Sequence, residues 1–506
     1  MRRVAAIVVR LGGYLAIAVL GFIVGVFAIY VYWVRSGPPL EHWHTEDLTA
    51  EFSAERADEI RTFDDYKRLE DRLFEQLEEQ VYAKTGTGPD FALVRYSTGS
   101  ASDPKRRRPD WNRSFELHSE APAGGVLLLH GMSDSPYTFR ALGQALNQQD
   151  YQVVGLRLPG HGTAPSGLKR VSWEDMAAAV RLGMEHLASR VGRGPIHIIG
   201  YSTGAPLALN YALDALEGAA SPAPASLVLI SPAIGITPAA VLVEWKVRLA
   251  ALPGLERLAW TQILPEFDPF KYNSFTSNAG AQVRRLTISV AGRIETRAAS
   301  GPIENFPPTL VFLSTVDATV STDAVVDNLL EHLAPGRHEL VLFDINRTHV
   351  KSTILVSDPG PLTARLMDDD ALPFSLTLIH NESAESTRVV SRRKAPLSAQ
   401  ASTKSLNLAW PSGVISLSHI ALPFPPDDPL YGRRGSAPDG ALYLGQIDLQ
   451  GERGLLRFPA DWLLRLRHNP FYDFLEARVL DWMDNTRGRD IEMQGRTAAP
   501  ATHPAS

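Results

Sequence analysis

Ile196-His197-Ile198-Ile199-Gly200-Tyr201-Ser202-Thr203-Gly204-Ala205-Pro206-Leu207-Ala208-Leu209 decides how the chain is read. A short apolar run ends at a glycine, a serine stands two residues on, and a small-residue helical pattern begins at once. That order predicts strand, tight turn and helix, with Ser202 at the apex. Gly200 and Gly204 permit the turn, because side chains there would collide with strand or helix. The serine hydroxyl is then pushed out at the top of a sheet, above backbone N–H groups of a helix N-terminus that can hydrogen-bond an oxyanion. G-x-S-x-G alone is a weak signal. Its placement between an apolar strand and a helix favours a nucleophile elbow.

The elbow sits inside a regular alternation. Upstream, Phe115–Leu117 alternates like a half-buried strand and Gly125–Leu129 is continuously apolar, as in a buried parallel strand. The second run ends in His130-Gly131-Met132-Ser133-Asp134-Ser135-Pro136. A helix (Phe139, Leu142, Ala145, Leu146), the strand Tyr151–Leu156 and the loop Arg157-Leu158-Pro159-Gly160-His161-Gly162 come next. After a helix at about 172–189 and the elbow, strands follow at Ser226–Ile230 and Thr309–Leu313, and at His338–Phe343, expected to be the last parallel one. Strands and helices at this rhythm predict an α/β fold, a mostly parallel sheet with right-handed crossovers and helices on both faces.

H-G-M-S-D-S-P, L-P-G-H-G, G-Y-S-T-G and Asp317 follow successive strands in order. The combination resembles the α/β-hydrolase family, and within it the monoacylglycerol lipase, carboxylesterase and serine aminopeptidase branch, over about residues 111–345. The resemblance implies Ser202 as nucleophile and an oxyanion hole from the backbone N–H groups of Met132 and Thr203. It gives His161 a structural role and makes 236–300 a lid. A serine hydroxyl is inert at neutral pH without a histidine base oriented by a carboxylate, and such a triad requires neither metal nor cofactor. Asp317, at the C-terminal edge of a strand, points into the crevice where open α/β sheets bind ligands; Asp323 and Asp327 fall in a following helix.

Two histidines compete for the base. His349 follows the strand 338–343 at the family's spacing. The chain then departs from the family, with a segment containing strand-like Phe374–Ile379 and Thr387–Val390, expected to form an added hairpin with His380 in its turn. Beyond it, an alternating run from Gly413 delivers His419 into the proline-stiffened loop Ala421–Gly432. A closing helix follows at about 471–483. Because the base in this fold sits between the last strand and the last helix, His419 is preferred, and the triad expected is Ser202, Asp317, His419.

The lid segment is strongly apolar and reads as mostly helical, with Val241, Leu242, Trp245, Val247, Leu249, Leu252, Leu255, Leu258, Trp260 and Ile263. It can pack on its own core and also offer an acyl-chain pocket. The N-terminus carries no charge from Leu11 to Val34, a run longer than the roughly 20 residues that span a bilayer. Arg2, Arg3 and Arg10 precede it and acidic residues follow, which predicts a single-pass signal anchor with a cytoplasmic N-terminus and an extracytoplasmic catalytic domain. His42-Trp43-His44 lies in the tether that follows and reads as a juxtamembrane segment, not a metal site. Lys105–Arg108 reads as a solvated basic loop.

The expected organisation is a cytoplasmic stub and anchor (1–35), a tether with an amphipathic helix at 63–83 (36–110), core (111–235 and 301–345), helical lid (236–300), an inserted segment with a hairpin (346–410), the remainder of the core (411–490) and a disordered tail (491–506). A net charge of −6 argues against a broad nucleic-acid surface. The chain has no cysteine, so thiol nucleophiles and disulfides are absent. The function expected is hydrolysis of a lipid-like or medium-chain carboxylic ester through an acyl-enzyme on Ser202. A serine peptidase of the same fold, or a non-catalytic scaffold, are the alternatives.

Overall fold

A computed structural model describes residues 2–235, 249–250, 252, 254–317, 319–348, 350, 355–435, 442–445 and 465–497. Twelve strands are present among them: β1 Phe115–Leu117, β2 Gly124–Leu129, β3 Tyr151–Leu156, β4 Ile196–Tyr201, β5 Ser226–Ile230, β6 Trp260–Gln262, β7 Phe275–Thr276, β8 Thr309–Ser314, β9 His338–Phe343, β10 Ser375–Asn381, β11 Arg388–Lys394 and β12 Ala401–Ala409. Ten form one sheet in the order β1-β3-β2-β4-β5-β8-β9-β10-β11-β12. From β3 to β10 all neighbours are parallel, while β1, β11 and β12 pair antiparallel at the two ends.

The period of two along each strand divides its side chains between two cores. Leu127 and Leu129 of β2, Ile196 and Ile198 of β4, and Val311 and Leu313 of β8 face one side, with helices Trp173–Val191, Gly204–Leu216 and Ser277–Ala298. Val126 and Leu128, Ile199 and Tyr201, and Leu310 and Phe312 face the other, with helices Arg140–Asn147 and Tyr472–Thr497. Both faces of the central strands are therefore buried, which is why they read as continuous apolar runs.

Several expectations are corrected. β9 is not the last parallel strand, because β10 pairs parallel with it from Ser375↔Glu339 to Ile379↔Phe343. The added hairpin is present as β10 and β11, paired antiparallel, but a third strand, β12, follows it and all three extend the main sheet, with Leu376 and Leu378 joining the core. His380 lies within β10, half-buried, and not in a turn. Residues 411–418 form no strand; an asparagine side chain, described below, holds this segment in place of a ladder. The described part of the lid is mixed: a turn at Glu256–Ala259, the small antiparallel pair β6–β7, and helix Ser277–Ala298. Val241, Leu242, Trp245 and Val247 lie outside the described residues.

The expected tether is packed structure. Trp43 and His44 are buried, and His44 donates through Nε2 to Ser274 Oγ at 3.0 Å while its Nδ1 accepts from the Glu41 amide. Arg157, 1% exposed, is held by Glu51 on one side and Glu70 on the other, at 2.9 and 2.6 Å. Residues 36–110 thus close over the loop after β3, because a buried guanidinium needs carboxylates and the N-terminal segment supplies them.

Arg2–Arg35 is a single helix with Leu11, Tyr14, Leu15, Phe22 and Ile23 exposed. The expected membrane span is not supported: among the described residues no helix is long and apolar enough to cross a membrane.

Candidate active site

Ser202 has φ 51°, a left-handed conformation that an L-residue adopts only at a cost. Three bonds hold it there: its N–H donates to Ile230 O at 2.9 Å, and its carbonyl accepts from Ala205 and Ala233. The glycines leave no slack. A Cβ on Gly204 would stand 2.0 Å from Leu129 O, and one on Gly200 would stand 2.4 Å from Gly204 O. Helix Gly204–Leu216 can therefore start against β2 and β4 only with these residues.

His419 and Asp317 converge on this serine from distant parts of the chain. His419 Nε2 lies 3.0 Å from Ser202 Oγ, and Nδ1 lies 2.8 Å from Asp317 Oδ2. The aspartate side chain is fully buried and the imidazole 13% exposed, so the ring reaches the crevice while the acid does not. Asp317 Oδ1 accepts from the amides of Thr319 and Val320, at 2.8 and 3.0 Å, which fixes the carboxylate and leaves Oδ2 for the histidine. With a carboxylate at Nδ1, the proton belongs on that nitrogen and Nε2 is free to accept the serine proton. His349 lies outside the described residues.

The loop after β2 also comes close to Ser202. Gly131 approaches so closely that a Cβ there would stand 3.1 Å from Ser202 Cβ and 2.7 Å from Asp134 Oδ2. His130 fastens this loop: its Nε2 accepts from the Leu158 amide at 3.0 Å, so its Nδ1 donates to Gly131 O at 2.9 Å. Burial, then the neighbouring His161, drives the His130 pKa well below the usual histidine value and keeps the ring neutral. His161 packs edge-on to it at 5.0 Å and is itself lowered to about 4 by burial. Among the described residues the amides of Met132 and Thr203 have no hydrogen-bond partner; Thr203 follows Ser202 directly and Met132 follows Gly131.

The loop bearing His419 is held by contacts that the sequence did not reveal. Asn346, just past β9, donates its amide N–H to Ile415 O at 2.6 Å and its side-chain Nδ2 to Val414 O at 2.9 Å. The chain thus returns to the end of β9 after the three-strand extension. Asp428, buried, accepts from Leu430 N, Tyr431 N and the Tyr137 hydroxyl, each at 2.9 Å, and pairs with Arg140 at 3.3 Å. Tyr431 donates to Asp268 Oδ1 at 2.6 Å, and Arg467 pairs with Asp268 Oδ2 at 3.0 Å. Asp428 stood in a P-D-D-P run, which signals a turn; nothing local marked Asn346 or Asp268. Also unforeseen is Lys271, ion-paired with Asp134 at 2.6 Å beside the loop after β2.

Residues 126–365 match the model of the alpha/beta hydrolase family. A thermostable monoacylglycerol lipase from Bacillus sp. (strain H-257) is 34% identical over 96 residues, which are 19% of this chain and 38% of the relative, so well under half of that protein is matched. Similar solved structures include a monoacylglycerol lipase from Paleococcus ferrophilus (18% identity, 46% of this chain, 88% of the other, TM-score 0.35). Another is a soluble variant of monoglyceride lipase from Saccharomyces cerevisiae (15% identity, 46% and 82%, TM-score 0.36). The resemblance to the α/β-hydrolase family therefore rests on residues 126–365, just under half of the chain.

Proposed function

We propose that the protein is a serine hydrolase that cleaves carboxylic esters, with a lipid-like or medium-chain acyl group, through an acyl-enzyme on Ser202. One observation carries the reading: the unbroken line Ser202 Oγ, His419, Asp317, at 3.0 and 2.8 Å. His419 Nε2 takes the hydroxyl proton as Oγ attacks the acyl carbon, and the amides of Met132 and Thr203 receive the oxyanion. His419 then protonates the leaving alcohol, and water, activated by the same ring, releases the acid. Each oxyanion donor is worth about 100- to 1000-fold in turnover. A peptidase would need free carboxylates in the lid to hold a substrate amine. Glu266 and Asp268 are instead consumed internally, the first by the Asn273 and Ser274 amides and the second by Tyr431 and Arg467.

The test is covalent labelling of folded protein by a fluorophosphonate probe. Wild type labels; Ser202→Ala does not; His419→Ala labels orders of magnitude more slowly, and its p-nitrophenyl ester turnover falls by about 10⁴-fold. Wild type that folds and stays unlabelled overturns the reading.

The uncharged run Leu11–Val34 supports a second element of the proposal, that the N-terminal helix holds the enzyme at a membrane with the catalytic domain on the extracytoplasmic side. The C-terminal end of that helix meets the lid: Val31 packs on Leu255 and Leu258, and Gly37 O accepts from Arg257 at 2.6 Å. Full-length protein should stay with membranes through alkaline carbonate washing and a chain lacking residues 1–35 should not. Release of both overturns the anchor.

A further inference from the structure

A cavity of about 470 Å³ lies away from Ser202, enclosed by helix Phe63–Gln80, the segment 104–113, and Gly162 with Thr163. That volume is in the range of small-molecule sites. Phe74, Leu77, Tyr82 and Tyr96 give it an apolar, largely aromatic wall, and no residue of the proposed catalytic set lines it.

Its charge is lopsided. Five cations line it (Arg95, Lys105, Arg107, Arg108 and Arg113) against two carboxylates, Glu78 and Asp110. Both carboxylates are occupied: Glu78 pairs with Lys105, and Asp110 accepts from the Asn112 amide at 3.1 Å with Arg113 at 3.7 Å. Arg113 also pairs with Asp71 outside the cavity. Among the described residues Arg107 and Arg108 make no ion pair.

Arg95 is the decisive residue. It is 1% exposed, and its single side-chain hydrogen bond is a long one, Nη2 to Asn112 Oδ1 at 3.4 Å. Nε and Nη1 have no partner. The rings of Tyr96 and Tyr272 face the guanidinium at 5.3 and 5.4 Å, which steadies its charge but offers no acceptor. The carboxylate of Glu266, although near, is held by backbone amides. Buried donors left unmatched are costly, and a guanidinium among surplus cations is suited to the oxygens of a multiply charged anion.

We propose that this cavity is a binding site for a phosphate group, carried by a soluble phosphoester or by a phospholipid headgroup. Arg95 meets the phosphate at the buried end, Arg107 and Arg108 hold it from the rim, and the Tyr82–Tyr96 wall covers the carbon portion. The probe is inorganic phosphate, titrated calorimetrically into the full chain in neutral detergent at low salt. Saturable binding at one site is expected, weakened about tenfold or more by Arg107→Ser with Arg108→Ser, which alters only the rim. Arg95→Gln should abolish it; if that variant fails to fold by circular dichroism, the rim pair decides. Binding unchanged in the rim pair, or no saturation through the millimolar range, overturns the proposal. Competition assigns the source: vesicles of phosphatidylcholine with phosphatidylglycerol that displace phosphate, where pure phosphatidylcholine does not, identify a headgroup, and no displacement identifies a soluble phosphoester. Ser202→Ala should bind phosphate like wild type, so failure here is separable from failure of the hydrolase reading.

Discussion

The two sides of the proposed catalytic line are built in opposite ways. The serine side is local: Gly200, Ser202 and Gly204 lie within five residues, and the strain at Ser202 is held by β4, β5 and the helix that starts there. The histidine side is assembled from afar. His419 sits in a segment without regular strand, and its loop is fixed by Asn346, Asp428, Tyr137, Arg140, Asp268 and Arg467, from five separate regions of the chain. A turn made by steric exclusion has one conformation or none. A loop held by a set of polar contacts can lose one and persist in weakened form.

That difference is open to mutation, and the largest effect belongs to the local side. Gly204→Ala places a methyl 2.0 Å from Leu129 O, where a backbone oxygen of the central sheet has no room to move. The expected outcome is loss of folded protein, or a Tm lowered by more than 10 °C on the scale of about 2–4 °C per kcal/mol for larger domains, with no fluorophosphonate labelling. Near-normal melting would show that the elbow has more slack than its contacts imply.

Asp428→Ala tests the distant side and should be graded. It strands two backbone amides and the Tyr137 hydroxyl, each costing about 1–3 kcal/mol when buried without a partner. Because the loop retains Asn346 on one side and Asp268 on the other, the protein should fold with stability reduced by about 3 kcal/mol. Ester turnover should fall by about tenfold while KM changes little, since His419 becomes less often aligned with Ser202. Chemical denaturation and steady-state kinetics on the same samples check both. Loss of activity as complete as in His419→Ala would mean that the loop depends on this one carboxylate.

The same division explains what the sequence discloses. The parallel sheet, its two buried faces and the elbow are written in contiguous runs, because local period and small-residue spacing are properties of neighbours. Asp317 was legible because it follows a strand. The hairpin β10–β11 is also legible, but its joining the main sheet is not, since pairing of Ser375–Ile379 with β9 is a relation between residues far apart. Residues 36–50 look like a tether because nothing near Glu51 announces that its partner is Arg157. The proline-rich setting marks His419, while the polar contacts that hold its loop have no local signature.

The smallest expected effect concerns protons. Burial lowers His161 and His338 to about 4 and His197 to about 3, and lowers His44 to about 4 with Lys169 adding to it. In the unfolded chain these rings titrate near 6.5. Between that value and about 4 the unfolded state therefore binds more protons than the folded one, and stability must fall as the pH falls through this window. Glu266, raised to about 6 by burial, acts in the opposite sense, because it takes up a proton on folding between about 6 and its unfolded value near 4.5. Burial also lowers His130, His380 and His468 and raises Glu70 and Glu476; seven lowered rings outweigh three raised carboxyls, so Tm should decline steadily from pH 7 to pH 5. His197 lies in β4 and His161 packs on His130 beside the loop after β2, whereas among the described residues packed on the His419 loop is His468, bonded to Tyr431 O, whose pKa burial also lowers. Acid should thus weaken the local side first. Hydrogen exchange, corrected for its intrinsic pH dependence, should show protection lost in β4 and the loop after β3 before the Asp428 region; the reverse order would place the acid-sensitive part of the fold on the histidine side.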